Sequence, residues 1–317
     1  LLDNKNVPPH ANLAEGVDSD DPNSYLDFEL NEYAPELMHK EALDFIEKNK
    51  KNPFFLYYAS PLPHVPLQAP KKWVNYYRDK FGDESPYTGK SYFPNFAPRA
   101  TYAAMISYLD EQVGDLIKKL KEIGQYENTL IIFTSDNGPT YTGGADTPFF
   151  DSAKPFKTEY GWAKGFVHEG GIRVPMIASW PGKIVSGSRS SHLSAFQDMM
   201  PTFCDIVGIP NPKKIDGISL MPTLLGTDQS EVHEYLYWEF PAYKGQQAVR
   251  MGKWKAIRRN IFDGNMKIEL YNLENDIIEQ NDIANLYPDI VAKIEKIMLS
   301  SRSRPIYKKF QFPQLGD

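Results

Sequence analysis

Tyr102, Met105, Ile106, Leu109, Val113, Leu116, Ile117, Leu120 and Ile123 recur at three- and four-residue steps. A helix over this segment therefore lays one long apolar stripe against a core. Gly124 stands where a left-handed residue ends such a helix. Thr129-Leu130-Ile131-Ile132-Phe133-Thr134 follows, a strand-length run of β-branched and aromatic residues. The same order occurs upstream. Met38, Ala42, Phe45 and Ile46 predict a helix over roughly 35–49, and Phe54 to Ala59 reads as a buried strand. Helices alternating with short apolar strands restrict the chain to layered α/β folds. The expected architecture is three-layer αβα with a mostly parallel sheet, and ligands gather beyond the carboxyl ends of strands in such sheets.

Other segments organise around that core. Residues 1–33 are rich in Asn, Asp and Pro and read as irregular, and residues 61–99 read as one long proline- and aromatic-rich loop. Val174 to Trp180 predicts a further strand and Phe196 to Val207 a helix, in which Cys204 is a small core residue. Beyond this the texture changes. Segments 233–240, 247–259 and 268–273 read as antiparallel strands, and a helix is expected over 288–300. The division is thus an α/β domain over 1–228 and a small α+β subdomain with an antiparallel sheet over 229–317.

A net charge of −6 lacks the basic footprint of a nucleic-acid binder. No apolar run approaches the roughly 18 residues of a membrane span, and no signal peptide is visible at Leu1-Leu2-Asp3-Asn4-Lys5-Asn6. The single Cys204 rules out an internal disulfide or a Cys-rich zinc site.

Several loop residues carry polar chemistry. Asp136-Asn137-Gly138 directly follows the 129–134 strand; it is good turn chemistry, and its two side-chain oxygens also suit a hard cation. His64, in Pro61-Leu62-Pro63-His64-Val65-Pro66-Leu67, is either a structural histidine bonded to a carbonyl or an imidazole held for proton transfer. Lys164, in Gly161-Trp162-Ala163-Lys164-Gly165, is either a solvated surface lysine or a partly desolvated ammonium that attracts an anion. In His168-Glu169-Gly170-Gly171-Ile172-Arg173 the glycine pair predicts a tight turn, with Arg173 structural or in contact with an anion. The rings of residues 71–99, Trp73 and Tyr92 among them, either pack on one another or stack on a sugar or aryl group.

The ordered set of motifs resembles the sulfatase family of the alkaline phosphatase superfamily. It comprises Pro-His-Val-Pro-Leu after Phe-Phe-Leu-Tyr-Tyr, Tyr-Leu-Asp-Glu-Gln-Val-Gly, Ile-Phe-Thr-Ser-Asp-Asn-Gly, Lys-Gly-Phe-Val-His-Glu-Gly-Gly-Ile-Arg-Val-Pro, Ser-Trp-Pro-Gly and Gly252-Lys253-Trp254-Lys255. The resemblance runs from about residue 35 to the end. It implies a sulfuric ester hydrolase acting on a carbohydrate or aryl sulfate, with Asp136 and Asn137 as ligands of Ca2+ or Mg2+. It further implies Lys164 on the sulfate group and His64 on the leaving-group side. His168, Arg173, Trp73 and Tyr92 are candidate substrate contacts, and related enzymes are periplasmic or secreted.

The family's nucleophile is a formylglycine made within a C/S-x-P-x-R motif, which this sequence lacks; its early Asp pair is absent as well. The expectation is that an N-terminal segment supplies both. Without it, a strand edge and an apolar face would lie open. A phosphatase or phosphodiesterase of the same superfamily, or a non-catalytic protein that binds sulfated glycans, are the alternatives.

Overall fold

A computed structural model of the 317-residue chain describes residues 11–29 and 32–317. Residues 1–10 and 30–31 of the expected irregular opening lie outside the described residues. The chain forms two compact units, one of residues 1–129 and 140–150, the other of residues 130–139 and 151–317.

In the first unit a 3-10 helix over Pro22–Phe28 follows Asp21, whose carboxylate accepts from Asn23 N at 2.9 Å. Three α-helices come next: α1 (Ala34–Asn49), α2 (Lys71–Phe81) and α3 (Pro98–Glu122), with the short α4 (Thr147–Phe150) last. Pro35 and Pro98 occupy first-turn positions, where a missing N–H costs nothing, and Gly124 closes α3 at φ +69°. The stripe on α3 is only partly inward. Met105 and Leu120 are buried, while Ile106 is 41% exposed. The fully buried Gln112 ties α3 to α1, donating to Pro35 O at 3.0 Å and accepting from Tyr58 Oη at 3.2 Å.

Helix α2 corrects the expectation of an unbroken loop over 61–99. Trp73, Tyr77 and Phe81 recur every four residues, a period concealed by the prolines on either side. Tyr77 Oη lies 2.7 Å from Ser107 Oγ, fastening α2 to α3. A cluster of Leu62, Val65, Leu67, Tyr102, Met105 and Tyr108 then fixes the 61–67 loop on α3. Each such aliphatic side chain, once buried, contributes about 1.5–3 kcal/mol. The expected buried strand over 54–59 does not form. This segment has no regular secondary structure and pairs with no strand among the described residues, and Phe55 and Tyr57 are 66% and 81% exposed. Apolar composition alone supplies no ladder partner.

In the second unit β1 (Ile131–Thr134) pairs antiparallel with β2 (Met176–Ser179), from Ile131↔Ser179 to Thr134↔Met176. Between them lies the short α5 (Glu169–Ile172). The expected mostly parallel sheet is therefore absent among the described residues. A parallel pairing needs a crossover with a helix laid on the sheet, whereas the described α-helices between β1 and β2 are only α4 and α5, of four residues each. Helices α6 (Met199–Val207) and α7 (Met221–Leu225) follow, with Cys204 buried in α6.

Strands β3 (Leu236–Phe240), β4 (Gln246–Met251), β5 (Trp254–Arg259) and β6 (Glu269–Asn272) form an antiparallel sheet in chain order, and α8 (Pro288–Ser300) completes the regular elements. The expected strand over 247–259 is thus a hairpin, turned at Gly252 with φ +53°. The sheet is buried on both faces by alternation. Val249, Ala256 and Leu270 pack on Ile294, Ile297 and Met298 of α8, while Ala248, Ile257 and Tyr271 pack with Val167 on the other side. The second contact seats the 162–171 segment. No described helix is long and apolar enough to cross a membrane.

Candidate active site

Strand β1 delivers Ser135-Asp136-Asn137-Gly138 at its carboxyl end. Ser135 Oγ donates to Asn137 O, and Asn137 Nδ2 donates to Gly138 O, both at 2.9 Å. The loop is then sewn to two others through main chain. Gly138 N donates to Gly171 O at 2.9 Å, and Lys164 N donates to Pro139 O at 3.2 Å. A Cβ at Gly138 would lie 1.8 Å from Gly170 O, so no other residue fits that approach. Asp136, Asn137 and Lys164 are thereby brought to adjacent loops of one unit. Among the described residues the Lys164 ammonium pairs with no carboxylate, and the exposed Asp136 carboxylate accepts no hydrogen bond.

A buried charge cluster backs the Gly170–Gly171 turn. Glu169 Oε1 accepts from Lys255 Nζ at 2.8 Å, and Oε2 lies 3.2 Å from Arg173 Nη1 and 3.7 Å from Arg250 Nη1. Glu279 accepts from Glu169 N at 2.8 Å, and its other oxygen lies 3.7 Å from Lys255 Nζ. Lys255 is fully buried. Burial alone would raise the Glu169 carboxyl, but Lys255, with Arg250 and Arg173, outweighs it and holds the group below its ordinary value. Glu279 has the weaker share of the cation, and burial pushes it up to about 7. Sequence reasoning passed over this cluster. Its one local signal was a lysine inside the apolar run Trp254-Lys255-Ala256-Ile257.

His168 and Arg173 flank that turn. The His168 ring is fully buried against Trp162, with ring centroids 4.2 Å apart, and neither nitrogen has a hydrogen-bond partner among the described residues. Burial, reinforced by Arg259, Lys255 and Lys157, lowers its pKa to about 2, so the ring is neutral. Arg173 is exposed, pairs with Glu169 and lies over the Phe156 ring at 5.3 Å.

His64, Trp73 and Tyr92 belong to the first unit. His64 is exposed, and its Nδ1 lies 2.5 Å from Val65 O. Because a carbonyl only accepts, Nδ1 carries the proton, and Nε2 is left for an external partner. Tyr92 meets the imidazole edge-on with centroids 6.2 Å apart. Trp73 is committed inward: its Nε1 donates to Glu111 Oε2 at 2.6 Å, and its ring edges onto Tyr76.

Asp136 Oδ and Asn137 Oδ1 are hard oxygen donors on adjacent residues, and Asn137 Nδ2 is already tied to Gly138 O. This pair suits part of a Ca2+ or Mg2+ shell. No group of three or more His, Cys, Asp or Glu among the described residues gathers to hold an ion.

An oxygen-donor pair and an ammonium that pairs with no carboxylate among the described residues thus stand on adjoining loops after β1. The chain belongs to the sulfatase family: the Sulfatase model matches residues 3–209, and the model described as N-sulphoglucosamine sulphohydrolase, C-terminal, matches residues 158–304. It is 31% identical over 228 residues to N-acetylgalactosamine-6-sulfatase of Canis lupus familiaris, covering 68% of this chain and 37% of that one. It is 33% identical over 217 residues to arylsulfatase A of Homo sapiens, covering 66% and 36%. The chain thus spans well under half the length of these two relatives. The crystal structure of Ps i-CgsB superposes with a TM-score of 0.69 at 32% identity, covering 90% of this chain and 57% of that one. That protein has also been solved in complex with k-i-k-neocarrahexaose.

Proposed function

We propose that the polypeptide carrying this chain is a sulfuric ester hydrolase that releases sulfate from a sulfated carbohydrate or an aryl sulfate. The observation that carries this reading is the unpaired Lys164, whose main chain is bonded to the loop of Asp136 and Asn137. An ammonium and a cation-binding loop held on adjacent backbone stabilise charge on the non-bridging oxygens of a sulfate ester without reorganising. Asp136 and Asn137 supply part of the shell of a divalent ion, Ca2+ or Mg2+, which neutralises anionic oxygen when bound. His64, with Nδ1–H tied to Val65 O, turns Nε2 outward; in its doubly protonated form it gives the Nε2 proton to the departing alkoxide and is left as the neutral Nδ1–H ring. His168 and Arg173 fix the turn behind Lys164, and Tyr92 steadies the His64 ring.

The nucleophile, a formylglycine in the family, and the remaining carboxylate ligands come from polypeptide outside these 317 residues. The mostly parallel three-layer sheet is likewise proposed for the complete polypeptide. Residues 1–228 contribute to its catalytic domain, 229–317 form the C-terminal subdomain, and its setting is periplasmic or secreted. An oligosaccharide bound to a relative at 32% identity and the sulfated-sugar names of the curated relatives support a carbohydrate substrate.

The test is sulfate release by the complete polypeptide from 4-nitrocatechol sulfate, a chondroitin 6-sulfate tetrasaccharide and a κ-carrageenan tetrasaccharide. Lys164→Ala is expected to lower kcat by roughly 10²–10³-fold, the cost of removing one preorganised oxyanion donor. Turnover of phosphate esters with no release from any of the three sulfates would refute the reading.

A further inference from the structure

A cavity of about 640 Å3 opens in the first unit, between Tyr87, Lys90 and Ser91 on one side and Tyr141, Thr142 and Asp146 on the other. Its volume falls within the roughly 300–1,000 Å3 of small-molecule sites. Glycine-dependent turns shape its wall. Gly143 and Gly144 have φ of +67° and +91°. A Cβ on Gly143 would lie 2.7 Å from Val65 Cγ1 and 3.1 Å from Tyr92 Cδ2, and one on Gly144 would lie 2.9 Å from Tyr87 Cβ. The turn can therefore press against the loop that carries His64 only because both residues lack side chains. Tyr87 is held from the opposite side, exchanging main-chain hydrogen bonds of 2.9 and 2.8 Å with Asn95.

The charges in this cavity are unequal. Asp146 is satisfied: its Oδ2 lies 2.8 Å from Arg99 Nε and 2.7 Å from Arg99 Nη2, and its Oδ1 accepts from Phe149 N at 3.1 Å. Lys90 is exposed and pairs with no carboxylate among the described residues. An available ammonium thus stands beside two tyrosine rings and the hydroxyls of Ser91 and Thr142, with the local acid already neutralised. Aromatic faces take the C–H faces of a pyranose, hydroxyls take its hydroxyls, and the ammonium takes an anionic substituent.

We infer that this cavity is a binding subsite for a further, negatively charged sugar of an oligosaccharide substrate, next to the sugar served by His64. This rests on the sulfatase reading and deepens it by naming the substrate class: an acidic oligosaccharide in preference to a small aryl sulfate. Tyr87 and Tyr141 carry the sugar contacts that the sequence suggested for Trp73, whose indole is turned to Glu111.

The test uses the complete polypeptide, the two tetrasaccharides above and 4-nitrocatechol sulfate. Lys90→Ala should raise KM for at least one tetrasaccharide about tenfold, the order expected for a lost hydrogen bond to a charged group. kcat on that tetrasaccharide and both constants on 4-nitrocatechol sulfate should stay unchanged, and Lys90→Arg should retain the wild-type KM. A Lys90→Ala enzyme with wild-type constants on both tetrasaccharides, or with equal losses on the aryl sulfate, would overturn the subsite. If no sulfate ester is cleaved, the hydrolase reading fails separately, and the subsite is judged by calorimetry. Tetrasaccharide binding weakened about tenfold by Lys90→Ala supports it; binding unaffected by the change, or no binding of either tetrasaccharide, overturns it.

Discussion

The Asp136–Lys164 region and the His64 loop hold polar groups in place by opposite means. Around Asp136 the loops are joined backbone to backbone, through Gly138 N to Gly171 O and Lys164 N to Pro139 O, and a buried ion cluster backs the turn. Around His64 the anchors are apolar side chains, with Leu62, Val65 and Leu67 buried at 8%, 4% and 2% exposure and the imidazole outside them. The first design tolerates almost no added atom and depends on compensated charge. The second depends on volume and leaves its functional group energetically separate from its support.

The largest effect should come from Lys255. Lys255→Met leaves Glu169 and Glu279 without their shared cation, and stranding a buried partner in this way costs about 3–5 kcal/mol. Urea denaturation at neutral pH should show it, and a change below about 1 kcal/mol would mean that Arg173 and Arg250 suffice. Next comes Leu67→Ala in the apolar anchor, expected to cost about 2–4 kcal/mol as a buried cavity. If it proves neutral, the His64 loop is not held by packing.

The third test is the pH dependence of stability. His168 has a folded pKa of about 2 against an ordinary 6.5, so its stabilising effect is complete above pH 6.5 and is lost as pH falls below that. Glu279 has a folded pKa of about 7 against 4.5, so its effect is complete below pH 4.5 and is lost as pH rises through 7. Between 4.5 and 6.5 the two slopes oppose, each bounded by about 1.4 kcal/mol per pH unit. Glu279→Gln should make stability climb with pH in that window, and His168→Phe should make it decline. Identical slopes in the two variants would show that the cluster does not titrate as its burial requires. The smallest effect is expected at the exposed His64. His64→Ala should change stability by less than about 0.5 kcal/mol while abolishing most turnover in the complete polypeptide. A large loss of stability would show that the imidazole is part of its own support.

The elements readable in advance were those with a local, uninterrupted period. α3 and α8 appear close to their expected bounds, and Gly124 ends α3 as expected. Helix α2 was hidden by prolines that bracket it without entering it. The 54–59 segment has strand composition, but pairing depends on what lies alongside, which composition does not encode. The antiparallel partner of β1 is β2, more than forty residues later. Asp136, Asn137 and Lys164 were identifiable as residue types after motif-bearing turns. The bond between Lys164 and Pro139, and the Glu169–Lys255 pair across 86 residues, are tertiary facts with no local periodicity.

The position of Lys255 on β5 has a genetic consequence. A premature stop or frameshift between residues 174 and 254 would leave Asp136, Asn137, His64 and Lys164 all encoded, yet strip the counter-ion from beneath Glu169. Such an allele should behave as a null through misfolding and clearance, though it spares every residue assigned to the chemistry.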